Sequence, residues 1–122
     1  MFRRLTPMLR TSDLPGTLAF YRDVLGFELA SGGVAEGWLA LRRDAAGLMA
    51  SGLNDHEGDA APAFTGSLYF EVADVDTLWD AVRDHARICY TPEDFAYGMR
   101  EFGIYDNNGY LLQFGMPLRA DA

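Results

Sequence analysis

An α+β fold of two βαβββ repeats, forming a curved, mixed half-barrel sheet with a cleft, is what this 122-residue sequence predicts. Three observations lead there. "RTSDL" at Arg10 can be laid on "EVADV" at Glu71, an offset of 61 residues, and "RRDAAGLMAS" at Arg42 on "IYDNNGYLLQ" at Ile104, an offset of 62. In each copy a short strand leads into a capped amphipathic helix, and strand-like segments follow. Neither copy alone could close a core, whereas two together can. The chain is expected to be one domain, 1–122, with repeat 1 over about 4–53 and repeat 2 over about 64–117.

Taken in order, Thr6 to Thr11 reads as the first strand. Ser12 or Asp13 is the N-cap of a helix with Pro15 at its start, and Leu18, Tyr21 and Leu25 fall at helical spacing with Val24 beside them. Gly26 is its C-cap. "FELASG", "GWLALRR" and "GLMASGL" form a meander, the last two joined by a tight turn in "RRDAAG". Asn54 to Pro62 is polar and without periodicity, a linker inside one domain. "GSLYFEV" then alternates as a strand, and "ADVDTLWDAVRDHA" is a capped helix with Leu78, Trp79 and Val82 on its apolar side. "RICYTPEDFAYG" reads as a strand and a loop. "MREFGIY" and "YLLQFG" make a hairpin around "DNNG".

Composition narrows the function classes. Apolar residues at 49% and charged residues at 23% are those of a globular protein, and no apolar run approaches the roughly 18 residues of a membrane span. The arginines of "MFRRLTPMLR" are not followed by the apolar stretch of a signal peptide. The single cysteine, Cys89, excludes an internal disulfide, so a reducing cytoplasm is the expected setting; within "RICY" it reads as a buried filler. A formal charge of -8 disfavours nucleic acid, which needs clustered cations, and favours cationic small molecules.

The segments "SDLPGTLAFYRDVLGF", "FEVADVDTLWDAV" and "REFGIYDNNGYLLQFG" together resemble the vicinal oxygen chelate superfamily, which includes glyoxalase I, extradiol dioxygenases and the fosfomycin and bleomycin resistance proteins. Small size, acidic balance and "YGMREF", Tyr97 to Phe102, are most similar to the bleomycin resistance proteins, with a tyrosine where tryptophan is common and Met99 between glycine and arginine. The resemblance implies the glyoxalase/bleomycin resistance fold and pairing as homodimers, with an N-terminal strand exchanged between chains as an option.

The metal enzymes of that superfamily hold a divalent ion with His, Glu or Gln from the first and last strands of each repeat. Carried over, these positions are Thr6 and Ser67, seven residues before Asp13 and Asp74, together with Gln113 and, by the 62-residue offset, Ser51. Three hydroxyls and one amide make no transition-metal site, for none is an anion or an imidazole. His56 lies in the linker and His85 at the end of the second helix, each read as a surface residue. The expectation is therefore no metal, no cofactor and no catalytic residue.

Alternation puts Met8, Met49, Tyr69, Glu71 and Leu111 on the face of those four positions, with Arg10, while Leu68, Phe70, Val72, Tyr110, Leu112 and Phe114 form the core. Trp38 is left open between cleft and helix. Flat rings could stack on Trp38, Tyr69 or Tyr97. Glu71 could attract a cationic tail or pair with Arg10. The candidate ligand-binding set is Trp38, Met49, Ser51, Ser67, Tyr69, Glu71, Tyr97, Arg100, Leu111 and Gln113. The favoured function is sequestration of a cationic heteroaromatic small molecule of the bleomycin type. A metal-dependent lyase or dioxygenase is the alternative, and a sensor or interaction module the third.

Overall fold

A computed structural model describes residues 1–52, 63–64 and 66–118 of the chain. Contacts divide the chain into two compact units, Met1–Ala63 and Phe64–Ala122. The expected linker, with His56, lies outside the described residues.

The first unit runs β1 (Met8–Arg10), α1 (Leu14–Ala19), β2 (Glu28–Gly33), β3 (Trp38–Arg43) and β4 (Ala46–Ser51). β1 is shorter than the expected Thr6–Thr11, so Thr6 stands ahead of the strand. Asp13 is the N-cap: its carboxylate accepts from the Gly16 amide at 2.9 Å. After Ala19 the helix widens into a π turn, Phe20–Val24, before Gly26 closes it at positive φ. The wider turn lets Tyr21 and Leu25 both point inward with Phe27, and all three are buried. The sheet order is β1-β4-β3-β2, with β1 and β4 parallel and the other pairs antiparallel. Leu9, Leu39, Leu41, Leu48 and Ala50 form its buried face.

The second unit repeats the plan: β5 (Leu68–Glu71), α2 (Val75–Val82), β6 (Arg87–Phe95), β7 (Met99–Tyr105) and β8 (Leu111–Pro117). Its order is β5-β8-β7-β6, with β5 and β8 parallel. Both sheets are thus mixed, and the α+β class with its two βαβββ repeats is observed. Asp74 caps α2 by accepting from the amide and hydroxyl of Thr77 at 3.1 and 2.8 Å. α2 lays Val75, Val82 and Trp79 on Phe102, Ile104, Leu112 and Phe114; the Trp79 ring meets Phe102 edge-on, and Phe102 stacks on Phe114, which stacks on Phe70. Phe102 and Phe114, the buried rings of this set, each contribute roughly 1.5–3 kcal/mol by burial.

"RICYTPEDFAYG" is a strand and a loop as expected: β6 reaches Phe95, with irregularities on either side of Tyr90, and a turn follows. One expectation is corrected here. Cys89 is exposed, not buried, and its sulfur accepts a hydrogen bond from the Tyr105 hydroxyl at 3.2 Å.

Register corrects the repeat alignment. Met8 pairs with Met49 and Tyr69 with Gln113, so an offset of 61 in the first strands accompanies 113 minus 49, or 64, in the last. Two of the three extra residues arise ahead of β3 and β7, since Ala40 pairs with Met49 and Gly103 with Gln113, an offset of 63, and the hairpin turns supply the third. Arg43 pairs with Ala46 across two residues, whereas the Asp106 amide donates to the Tyr110 carbonyl across three, a turn held by Asp106 accepting from the Asn108 and Tyr110 amides. The counterpart of Gln113 is therefore Met49, and Ser51 corresponds to Gly115. A slip of two keeps each side chain on its face, so the face assignment survives the correction.

Candidate functional site

The face of the second sheet opposite α2 carries the densest polar arrangement among the described residues. Alternation along β7 sends Phe102 and Ile104 to the helix and Glu101 and Gly103 to the other side. On β8 it sends Leu112 and Phe114 to the helix, Gln113 and Gly115 away. β5 adds Tyr69, β6 adds Tyr90, and the turn between β6 and β7 adds Tyr97.

These groups converge on one carboxylate. Glu101 is 2% exposed. The Tyr69 hydroxyl donates to its Oε2 at 2.6 Å, while Tyr97 and Tyr90 donate to its Oε1 at 2.5 and 3.0 Å. A relay feeds the same point: Ser67 Oγ donates to Gln113 Oε1 at 2.5 Å, and Gln113 Nε2 donates to the Tyr90 hydroxyl oxygen at 3.1 Å. Every donor in the chain Ser67, Gln113, Tyr90 is aimed toward Glu101, so each bond polarises the next.

Two glycines make room for the rings. A Cβ on Gly115 would run into the Tyr69 hydroxyl and ring, and one on Gly103 into the Tyr90 ring. Tyr69 and Tyr90 can lie across the sheet only because these positions carry no side chain.

Electrostatics follow from the same contacts. Burial alone would push Glu101 up, but the hydroxyls of Tyr69, Tyr97 and Tyr90 together outweigh it and hold the group below the usual carboxylate range. The tyrosines are pushed the other way. Tyr69 is raised by burial first and then by Glu101. Tyr90 is raised to about 12 mainly by burial, and Tyr97 to about 12 mainly by its bond to Glu101. The cluster is therefore one fixed negative charge under three phenols that remain donors.

Of the candidates, the structure brings Ser67, Tyr69, Tyr97 and Gln113 together. Arg100 does not join them. It points to the α2 side, pairing with Asp76 at 2.8 Å and with Asp94 at 2.9 Å, because it is one step out of phase with Glu101. Glu71 follows Tyr69 on the same face and is exposed, and half-buried Leu111 opens β8 opposite Tyr105. In the first unit Trp38 lies on the face away from α1, opposite Ser51, with its indole over Gly32. Met49 shares that face, half-buried; the Ser51 hydroxyl is buried with no hydrogen-bond partner among the described residues.

Sequence reasoning passed over Glu101 and Tyr90. Glu101 carried a signal: an acid alternating with glycine opposite Phe102 and Ile104 marks a polar group on an enclosed face. Tyr90 carried none, because the bulges of β6 break the alternation that would have placed it.

Metal chemistry tests poorly against this donor set. Gln113, the last-strand position of the second unit, has its amide oxygen and nitrogen both engaged, the oxygen by Ser67. Its counterpart by register is Met49, a thioether. No three His, Cys, Asp or Glu side chains are grouped for a metal among the described residues. A divalent ion needs charged or imidazole donors to offset its desolvation, and these residues do not fit one.

Fold and repeat together define a paired-βαβββ protein, and the sequence family agrees. The chain belongs to the Glyoxalase/Bleomycin resistance protein/Dioxygenase superfamily, whose model matches residues 4–114. Among solved structures it is similar to a protein of unknown function from Agrobacterium tumefaciens, with TM-score 0.77, 23% identity, and coverage of 97% of this chain and 96% of that one. It is also similar to the bleomycin-binding protein of bleomycin-producing Streptomyces verticillus complexed with copper(II)-bleomycin, with TM-score 0.66, 23% identity, and coverage of 98% and 99%. A bleomycin resistance determinant encoded on transposon Tn5 gives TM-score 0.74, 23% identity, and coverage of 95% and 98%. No curated protein matches the sequence significantly. No helix among the described residues is long and apolar enough to cross a membrane.

Proposed function

We propose that this chain is a metal-free binding protein that sequesters a flat, cationic heteroaromatic small molecule, with bleomycin-type antibiotics as the leading class. One observation carries the reading: an aromatic face with a single buried carboxylate, Glu101, held ionised beneath Tyr69, Tyr90 and Tyr97. Aromatic faces attract cations and stack on planar rings, and an enclosed anion rewards a positive partner more than an exposed one does. Similarity to a bleomycin-binding protein and to a bleomycin resistance determinant, together with the acidic balance, supports the choice of class. Protection then needs only that the complex keeps the drug from its target.

Pairing as a homodimer with an exchanged N-terminal segment belongs to the same reading, supported by the exposure of Met1, Phe2 and Leu5 ahead of β1. A cytoplasmic setting is proposed with it. Calorimetry with metal-free and copper(II)-bleomycin tests the function. Micromolar or tighter binding, weakened at least tenfold by Tyr69→Ala, is expected; absence of heat and of any melting shift at high excess removes the antibiotic.

A further inference from the structure

The three phenols on Glu101 are not equivalent. Tyr69 alone serves Oε2, with its ring fitted over Gly115. Tyr90 is fitted over Gly103 and tied to the Gln113 amide. Tyr97 has no such seat. It is 66% exposed, stands in the short turn between β6 and β7, and shares Oε1 with Tyr90. Its ring stacks on Phe95 with centroids 5.4 Å apart and planes 11° from parallel, and Phe95 is braced edge-on by Tyr90 at 5.8 Å. Tyr97 thus does two things at once: it stacks on an aromatic ring, and it donates one hydrogen bond to an enclosed carboxylate oxygen.

Those are the two things a flat cation with an N–H donor would do. The geometry points to Tyr97 as an internal stand-in for the ligand. Its side chain occupies the ligand's place in the free protein, and a planar N–H cation displaces it, stacking on Phe95 and donating to Glu101 Oε1. Loss of Tyr97 from Oε1 leaves Tyr90 in place, so the carboxylate stays partly satisfied during the exchange. A cationic donor makes the stronger bond, since both partners are then charged. This deepens the proposed function and rests on it: the site is the tyrosine face, and the ligand class narrows from any flat cation to one bearing N–H on its rim.

Two small probes separate the ideas. Benzamidinium is flat, cationic and carries N–H donors; phenyltrimethylammonium is a cation with an aromatic ring and no N–H. Both are titrated by calorimetry into wild type, Tyr97→Ala and Glu101→Gln, with thermal melts confirming that each variant folds. Tyr97→Ala should bind benzamidinium about tenfold more tightly than wild type, because no internal group has to leave. Its preference for benzamidinium over phenyltrimethylammonium should rise, and in Glu101→Gln that preference should vanish. Should Tyr97→Ala melt below the assay temperature, Tyr97→Phe keeps the ring and drops only the phenol, and tightening in the same direction is expected. Equal or weaker benzamidinium binding in the Tyr97 variants overturns the proposal, since Tyr97 would then be a wall of the site. So does an unchanged preference in Glu101→Gln, or no binding of benzamidinium to wild type and Tyr97→Ala at millimolar concentration. Copper(II)-bleomycin binding without any Tyr97 tightening removes the stand-in and leaves the sequestration reading. Tightening for benzamidinium without bleomycin binding removes the antibiotic and leaves the stand-in.

Discussion

A carboxylate as enclosed as Glu101 would ordinarily be driven toward its neutral form by lost hydration. Three tyrosine hydroxyls reverse that, so its folded pKa lies below the unfolded one. Such a group stabilises the fold at neutral pH and loses that contribution as pH falls from the ordinary carboxylate range through the folded value. Glu101→Gln should cost on the order of 1–3 kcal/mol at pH 7, the usual size for hydrogen bonds to a charged group. The gap in urea midpoint between the two proteins should narrow steadily on acidification below about pH 4; a gap constant with pH would mean the charge contributes nothing. The neighbouring glycine gives a sharper test. Gly115→Ala forces the Tyr69 ring off its seat and so breaks its bond to Glu101. Measured in denaturant, Gly115→Ala should destabilise wild type clearly and a Tyr69→Ala background far less, for there the clash has no partner. Additive effects would place the cost in the backbone instead.

At the scale of elements, the caps, hairpins and core faces were legible because each rests on local chemistry. The first helix read as capped by Ser12 or Asp13 and the second as a capped helix, and the caps are Asp13 and Asp74; alternation in "GSLYFEV" and "YLLQFG" put Tyr69 and Gln113 on one face, where they pair directly. What was not legible depended on how many residues a turn spends. Matching "RRDAAG" to "IYDNNG" by letters was one residue out along β3 and β7, and the first hairpin turns in two residues where the second takes three, so the last strands came out two residues off and Ser51 was nominated where register selects Met49. Strand β6 misled for a related reason. An apolar string such as "RICY" reads as interior when alternation is unbroken, but the bulges beside Tyr90 re-aim the strand and leave Cys89 outside. Cys89 should therefore react fully with a thiol reagent in the native protein, without denaturant. Labelling that waits for urea would show that the strand faces the other way.

At the scale of the whole molecule, the charge of -8 and the single anchor make separable contributions to catching a cation. The distributed charge acts at long range, raising the encounter rate, and is screened once the Debye length shrinks below the size of the protein. Glu101 acts at contact, behind aromatic rings, where salt screens little. The two can be told apart by rate. Raising sodium chloride from about 20 to 500 mM should lower the association rate of a cationic ligand several-fold in wild type while changing its dissociation rate little. Glu101→Gln should do the reverse, leaving association and its salt dependence nearly intact and speeding dissociation by about tenfold or more. Stopped-flow measurement on both proteins at both salts decides it. Should the substitution act on association instead, Glu101 would be one of eighteen acids in a diffuse field, and the convergence of Tyr69, Tyr90 and Tyr97 on it would be a device of folding alone.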